Sequence, residues 1–105
     1  MAEWKPLNLG ELTEILDREI QSLSPEGLSI WEAKKVPIRK ARIERPRSIG
    51  DESVFVVAAS SGAVIYFDDV EDEFGVGVPD AHDCIHEVSL YGPLGYALPC
   101  LKGRG

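Results

Sequence analysis

Leu9, Leu12, Leu16, Ile20 and Leu23 recur at spacings of three and four, the period that lines one face of a helix. Asn8 stands where an N-cap belongs, and Glu11 follows three residues on, as in a capping box. The spacing predicts a helix from about Leu9 to Leu23. Ser24-Pro25-Glu26 then reads as a second start. Ser24 can cap, Pro25 suits the first helical position, and Glu26 favours the positive end of the helix dipole. Leu28 and Trp31 are expected to face the core. Val36, which precedes Pro37, is pushed towards extended geometry and ends this helix.

The period changes at Ile38. Ile38 to Arg45 reads as a strand of high charge density with a proline near each end, which predicts an edge strand. Arg47 to Asp51 reads as a loop. Val54 to Ala59 has the composition of a buried strand. Ser60-Ser61-Gly62 turns it, and Ala63 to Phe67 returns, which makes this the strongest hairpin signal in the chain. Phe74, Val76 and Val78 alternate with Gly75 and Gly77. That pattern predicts a strand that buries its Phe/Val face and leaves a bare glycine face open to close approach. Cys84 to Tyr91 reads as a last strand. Pro93 opens a brief C-terminal helix carrying Leu94, Ala97, Leu98 and Leu101, limited by Pro99. Consecutive strands with short turns pair antiparallel. The expected class is α+β: an N-terminal helical pair packed on an antiparallel sheet of about 4–5 strands, with a short C-terminal helix, in one domain spanning residues 1–105.

Charge sharpens the picture. The formal net charge is −7, which argues against coating DNA or an anionic membrane. The charge is not spread evenly. Residues 1–33 hold 7 acids and 2 bases, net −5; residues 34–47 hold 1 acid and 7 bases, net +6; residues 48–105 hold 10 acids and 2 bases, net −8. A basic strip therefore lies between two acidic stretches. Lys40, Arg42, Arg45 and Arg47 are its candidate anion-binding residues, yet no aromatic stacking residue interleaves them, which weakens an RNA reading. The plainer reading is an edge strand protected by charge, or a basic face paired internally with the acidic turn.

Two clusters invite chemistry. Asp68 to Glu73 holds five carboxylates in six residues. An EF-hand loop needs oxygen ligands at alternate positions and glycine at the sixth, and Val70 and Glu73 break that pattern. Clustered carboxylates do suit a basic partner surface. The second cluster is His82, Cys84 and His86, which share one strand face at alternate positions and offer zinc-type ligands, with Asp80 or Asp83 as a fourth. Rigid strand spacing holds such side chains roughly 6–7 Å apart, which is wide for one ion. The plainer reading is a half-buried strand in which Cys84 packs and the histidines sit at the rim. Cys84 and His86 as a nucleophile pair lack any sign of a substrate pocket. Gly75-Val76-Gly77 lacks the third glycine of a phosphate loop, no Gly-x-Ser-x-Gly occurs, and the zinc-deaminase spacing is missing after Cys100.

Leu23-Ser24-Pro25-Glu26 with Trp31, then Phe55 to Ala58, then Val64 to Phe74 with its acidic turn resemble a group of small uncharacterised bacterial α+β proteins. Those proteins share the helix-first layout and an aromatic pair followed by an acidic D-[IV]-E-[ED] turn. This chain departs from them after Phe74, where Gly75 to Pro79 replaces polar residues. In size and charge such proteins are similar to immunity proteins, by analogy of layout. The expected function is a non-enzymatic protein-interaction domain, of an immunity or inhibitor type. Asp68, Asp69, Glu71, Asp72 and Glu73 would meet a basic partner, with Tyr66 and Phe74 as exposed aromatic anchors. The partner is another protein or a second copy, the latter through the edge strand or the bare glycine face. No cofactor is implied. The alternative is a small metal-binding or metal-assisted enzyme using His82, Cys84 and His86. The start Met1 to Pro6 lacks a secretory pattern, and two cysteines are too few for a disulfide framework, so the expected setting is cytoplasmic with both thiols unpaired.

Overall fold

The computed structural model describes residues 8–44, 52–68 and 72–101. Asn8 caps α1 (Leu9–Gln21): its Oδ1 accepts the Glu11 backbone N–H at 2.8 Å. Ser24 caps α2 (Pro25–Lys34) by accepting the Gly27 N–H at 3.0 Å, with Pro25 at the first helical position. Leu12 and Leu16 are the fully seated residues of α1. In α2 the buried side chains are Ile30 and Trp31, whereas Leu28, expected in the core, is exposed.

The chain passes from α2 directly into β1 (Lys35–Glu44), so the strand begins before Pro37 rather than after it. Pro37 falls in a register irregularity between Lys35 and Arg39 against β2 (Glu52–Ser60). A proline, which lacks an N–H, is tolerated at such a break in the ladder. Beyond the break the ladder is regular, so Arg39 and Lys40 fall on opposite faces, and both are exposed. Ser61 and Gly62 turn the next hairpin, Gly62 at φ 84°, and lead into β3 (Ala63–Asp68). Then come β4 (Glu73–Pro79), β5 (Ile85–Gly92), the short α3 (Leu94–Ala97) opened at Pro93, and a final 3-10 turn (Leu98–Leu101). The architecture is α+β, helices first.

The sheet closes. Strands pair antiparallel in sequence order, and β5 returns to β1 in parallel through Ile43 opposite Ile85 and Glu44 opposite His86. The expected edge strand is therefore paired on both sides at its C-terminal end, which removes that end as an edge for dimerisation.

Closure creates two apolar cores. Ala41, Ile43, Val54, Val56, Val64, Tyr66 and Ile85 fill the barrel. The second core lies between the outer surface of β2–β4 and the helices. It joins Leu12, Leu16 and Trp31 to Val57, Ile65, Phe67, Phe74, Val76, Leu94 and Leu98. β3 thus serves both cores and is buried along its whole length. Tyr66 lies inside the barrel over Gly75 and Gly77: a Cβ on Gly75 would stand 2.7 Å from Tyr66 Cζ and Oη. The glycine face is not bare. It is barrel interior, occupied by Tyr66 and Ile85, and offers no surface to a second copy. Val78, expected in the core with Phe74 and Val76, is exposed.

Candidate functional site

A cleft of about 670 Å³ opens between the C-terminal half of α1, the turn into β4, and the end of β5. Its floor is apolar. Phe67 and Phe74 meet edge-on with ring centroids 4.9 Å apart, and Ile15 adds an aliphatic wall. Its rim carries Arg18, Glu19, Asp72 and Glu73. Glu19 has a structural duty as well, since its Oε1 accepts the Leu94 N–H at 2.7 Å and anchors the start of α3. Asp72 holds φ 58°, a left-handed turn geometry that Asp tolerates better than most residues. Gly92, at φ 78°, lies across from the Glu73 carboxylate.

A second hollow of about 460 Å³ shares Glu19, Ser22 and Pro93 with the first and continues past Leu23, Gly27 and Gly95 to Tyr96. Tyr96 is 69% exposed, the most exposed large apolar side chain among the described residues. The two hollows form one groove with an acidic end and an aromatic end.

This arrangement redistributes the residues expected to bind a partner. Asp72 is exposed and Glu73 half-buried at the groove rim. Asp69 and Glu71 lie outside the described residues. Asp68 is fully buried and engaged in interactions of its own, so it does not present a carboxylate to a partner. Tyr66 is also fully buried, and its hydroxyl donates to Glu87 Oε2 at 2.7 Å inside the fold. Phe74 is 2% exposed and contributes only to the floor. Neither aromatic is an exposed anchor, because both faces of β3 are covered and β4 is covered at Phe74 and Val76. Tyr96 holds the exposed position that Tyr66 was expected to fill.

The second cluster forms at the β4–β5 turn. Asp80 Oδ1 accepts the backbone N–H groups of His82 at 2.8 Å and Cys84 at 3.0 Å, while Oδ2 faces His86 Nε2 at 2.9 Å. The His86 ring, then these two N–H groups, hold the Asp80 carboxyl down to about 2. Asp80, Cys84 and His86 present ligand atoms within 4.8 Å of one another. His82 is not among them; it contributes its backbone N–H to the turn, and the exposed side chain stands apart from the group. Glu44, which sequence reasoning did not single out, faces His86 Nδ1 at 3.7 Å across the parallel seam. Asp83 holds φ 61°, and both its oxygens pair with the Arg39 guanidinium, which pins the turn to β1. Neither cysteine is in a disulfide. Cys100 hydrogen-bonds Tyr91 and pushes that phenol's pKa up.

Much of the basic strip is occupied. Lys35 pairs with Glu32 at 2.9 Å, Arg39 pairs with Asp83, and the Lys40 ammonium lies 5.8 Å from the Phe55 ring centroid. Lys34 and Arg42 have interactions of their own. Arg45 and Arg47 lie outside the described residues. The partners of Lys35 and Arg39 are thus Glu32 and Asp83. No described helix is long and apolar enough to cross a membrane.

No protein-family model, curated protein or solved structure matches the chain.

Proposed function

We propose that the protein is a non-enzymatic interaction domain that receives a basic segment of a partner protein in the groove between α1, the β3–β4 turn and α3. The observation that carries this reading is the groove itself, with carboxylates of Asp72 and Glu73 over an apolar floor and exposed Tyr96 at its far end. An arginine or lysine suits such a site, because its aliphatic stem covers apolar surface while its charged head meets carboxylates. Tyrosine at a groove end supplies the large, stiff anchor that dominates many interfaces. An inhibitor or immunity type of role fits this mode of binding, and a reducing cytoplasmic setting fits two cysteines outside any disulfide.

The test uses the full chain as bait in extracts of its native cell at about 50 and about 200 mM salt. The paired bait carries Asp72→Asn and Glu73→Lys; asparagine keeps the left-handed turn at position 72. A basic protein held by the wild-type bait should be lost from the variant, and Tyr96→Ala should weaken its binding at least about tenfold. Equal retention by both baits at low salt sinks the reading.

A further inference from the structure

We propose that Asp80, Cys84 and His86 bind a zinc-type divalent metal ion, with Glu44 holding His86 from behind. The ligand atoms lie within 4.8 Å of one another. Ligands on one tetrahedral ion, bound at about 2.0–2.3 Å, stand roughly 3.3–3.7 Å apart. The Asp80–His86 pair, at 2.9 Å, must open by about 0.4 Å, and the thiol must close on it by at most about 1 Å.

The site is built rather than incidental. Two backbone N–H groups hold Asp80 Oδ1, which leaves Oδ2 aimed at His86. The turn backbone is closed by Asp80 N–H to the Cys84 carbonyl at 2.9 Å and Asp83 N–H to the Asp80 carbonyl at 3.0 Å. Arg39 clamps the turn from outside through Asp83. The ion would sit between His86 Nε2 and Asp80 Oδ2, with any proton there released to solvent. The Nδ1–H would then face Glu44, the carboxylate–histidine–metal relay that orients ligating imidazoles. The Cys84 thiol proton leaves to solvent as the thiolate bonds the ion.

Thiolate, imidazole and carboxylate together select zinc or cobalt over calcium or magnesium, which prefer all-oxygen sites. Cys84 is buried while Asp80 and His86 are exposed, so the ion has an entry path from water. Three protein ligands leave one coordination position for water or an incoming ligand. The strand spacing of His82, Cys84 and His86 conceals this set, because the turn replaces His82 with Asp80. The site shares no residue with the groove.

The test is titration of the full, untagged chain with Co²⁺ alone and Zn²⁺ alone. Co²⁺ should bind one per chain with a thiolate-to-cobalt charge-transfer band, which Zn²⁺ displaces. The band should survive His82→Ala and Cys100→Ser and disappear in Cys84→Ser and in His86→Ala. Glu44→Gln should weaken Zn²⁺ affinity about 10–100-fold. Zn²⁺ at a hundredfold its dissociation constant should raise Tm by roughly 10 °C. Circular dichroism identifies a variant that fails to fold, and either ligand variant suffices if the other is lost. The proposal is overturned if the wild type shows no band and no Tm shift, or if the band persists in a folded Cys84→Ser or His86→Ala chain.

Discussion

Gly77→Ala tests the packing of the barrel interior most directly. Gly77 is not a positive-φ glycine. On backbone grounds alone, alanine should stabilise a strand position by about 0.5–1 kcal/mol, since glycine loses more freedom on folding. The surroundings reverse that sign. The new methyl would overlap Ile85 Cγ2, stand 3.0 Å from the His86 carbonyl oxygen and 3.3 Å from Tyr66 Cε1. Ile85 is fully buried and Tyr66 is fixed by its bond to Glu87, so none of these neighbours moves without cost. Overpacking of this kind costs about 1–3 kcal/mol, or a fall in Tm of roughly 4–12 °C for a chain of this size. Urea unfolding followed by the fluorescence of buried Trp31 reads the change, with an unaltered m value. The double variant with Ile85→Ala adds a control: its loss should be smaller than the sum of the single losses by about 1 kcal/mol or more. If Gly77→Ala is neutral or stabilising, the glycine face is not filled as described and the close approach of Ile85 is wrong.

Two further outcomes follow from named contacts. Tyr66→Phe keeps the ring over the glycines but removes the donor to Glu87, and should destabilise by about 1–2 kcal/mol in the same urea assay; an unchanged midpoint would mean the bond contributes nothing net. Asp80 has its pKa depressed from 3.8 to about 2 in the folded chain. A depressed carboxyl stabilises the fold above its unfolded value, and that contribution is lost as pH falls through the folded value. The stability gap between wild type and Asp80→Asn should therefore be level above about pH 5 and narrow between about pH 4 and pH 2; a gap that widens on acidification contradicts the Asp80–His86 contact.

The elements of this fold are legible wherever one local rule settles them. Asn8 and Ser24 act as caps, Gly62 turns its hairpin, and Pro93 opens the last helix, because each depends on neighbours within four residues. What lies outside such rules is which face of a strand is covered. Ala63 to Phe67 is apolar at every position, and an unbroken apolar run marks a strand buried on both sides. That signal argues against an exposed Tyr66. Alternation at Gly75 and Gly77 correctly announces a close approach, and the approaching group is a side chain of the same chain. The closing seam is harder. Local turn rules yield antiparallel neighbours, whereas Glu44 meets His86 through a parallel contact across 42 positions of sequence. The groove likewise joins Glu19 on α1 to Glu73 and Tyr96, residues that no spacing relates. Asp80 is the instructive case. Its type and proximity made it a candidate fourth ligand, but only the Asx turn, formed by N–H groups of His82 and Cys84, swings its second oxygen onto His86. The same turn turns His82 from an expected ligand into a backbone donor. Two-residue strand spacing therefore fails there because Cys84 and His82 precede β5 and do not follow its alternation.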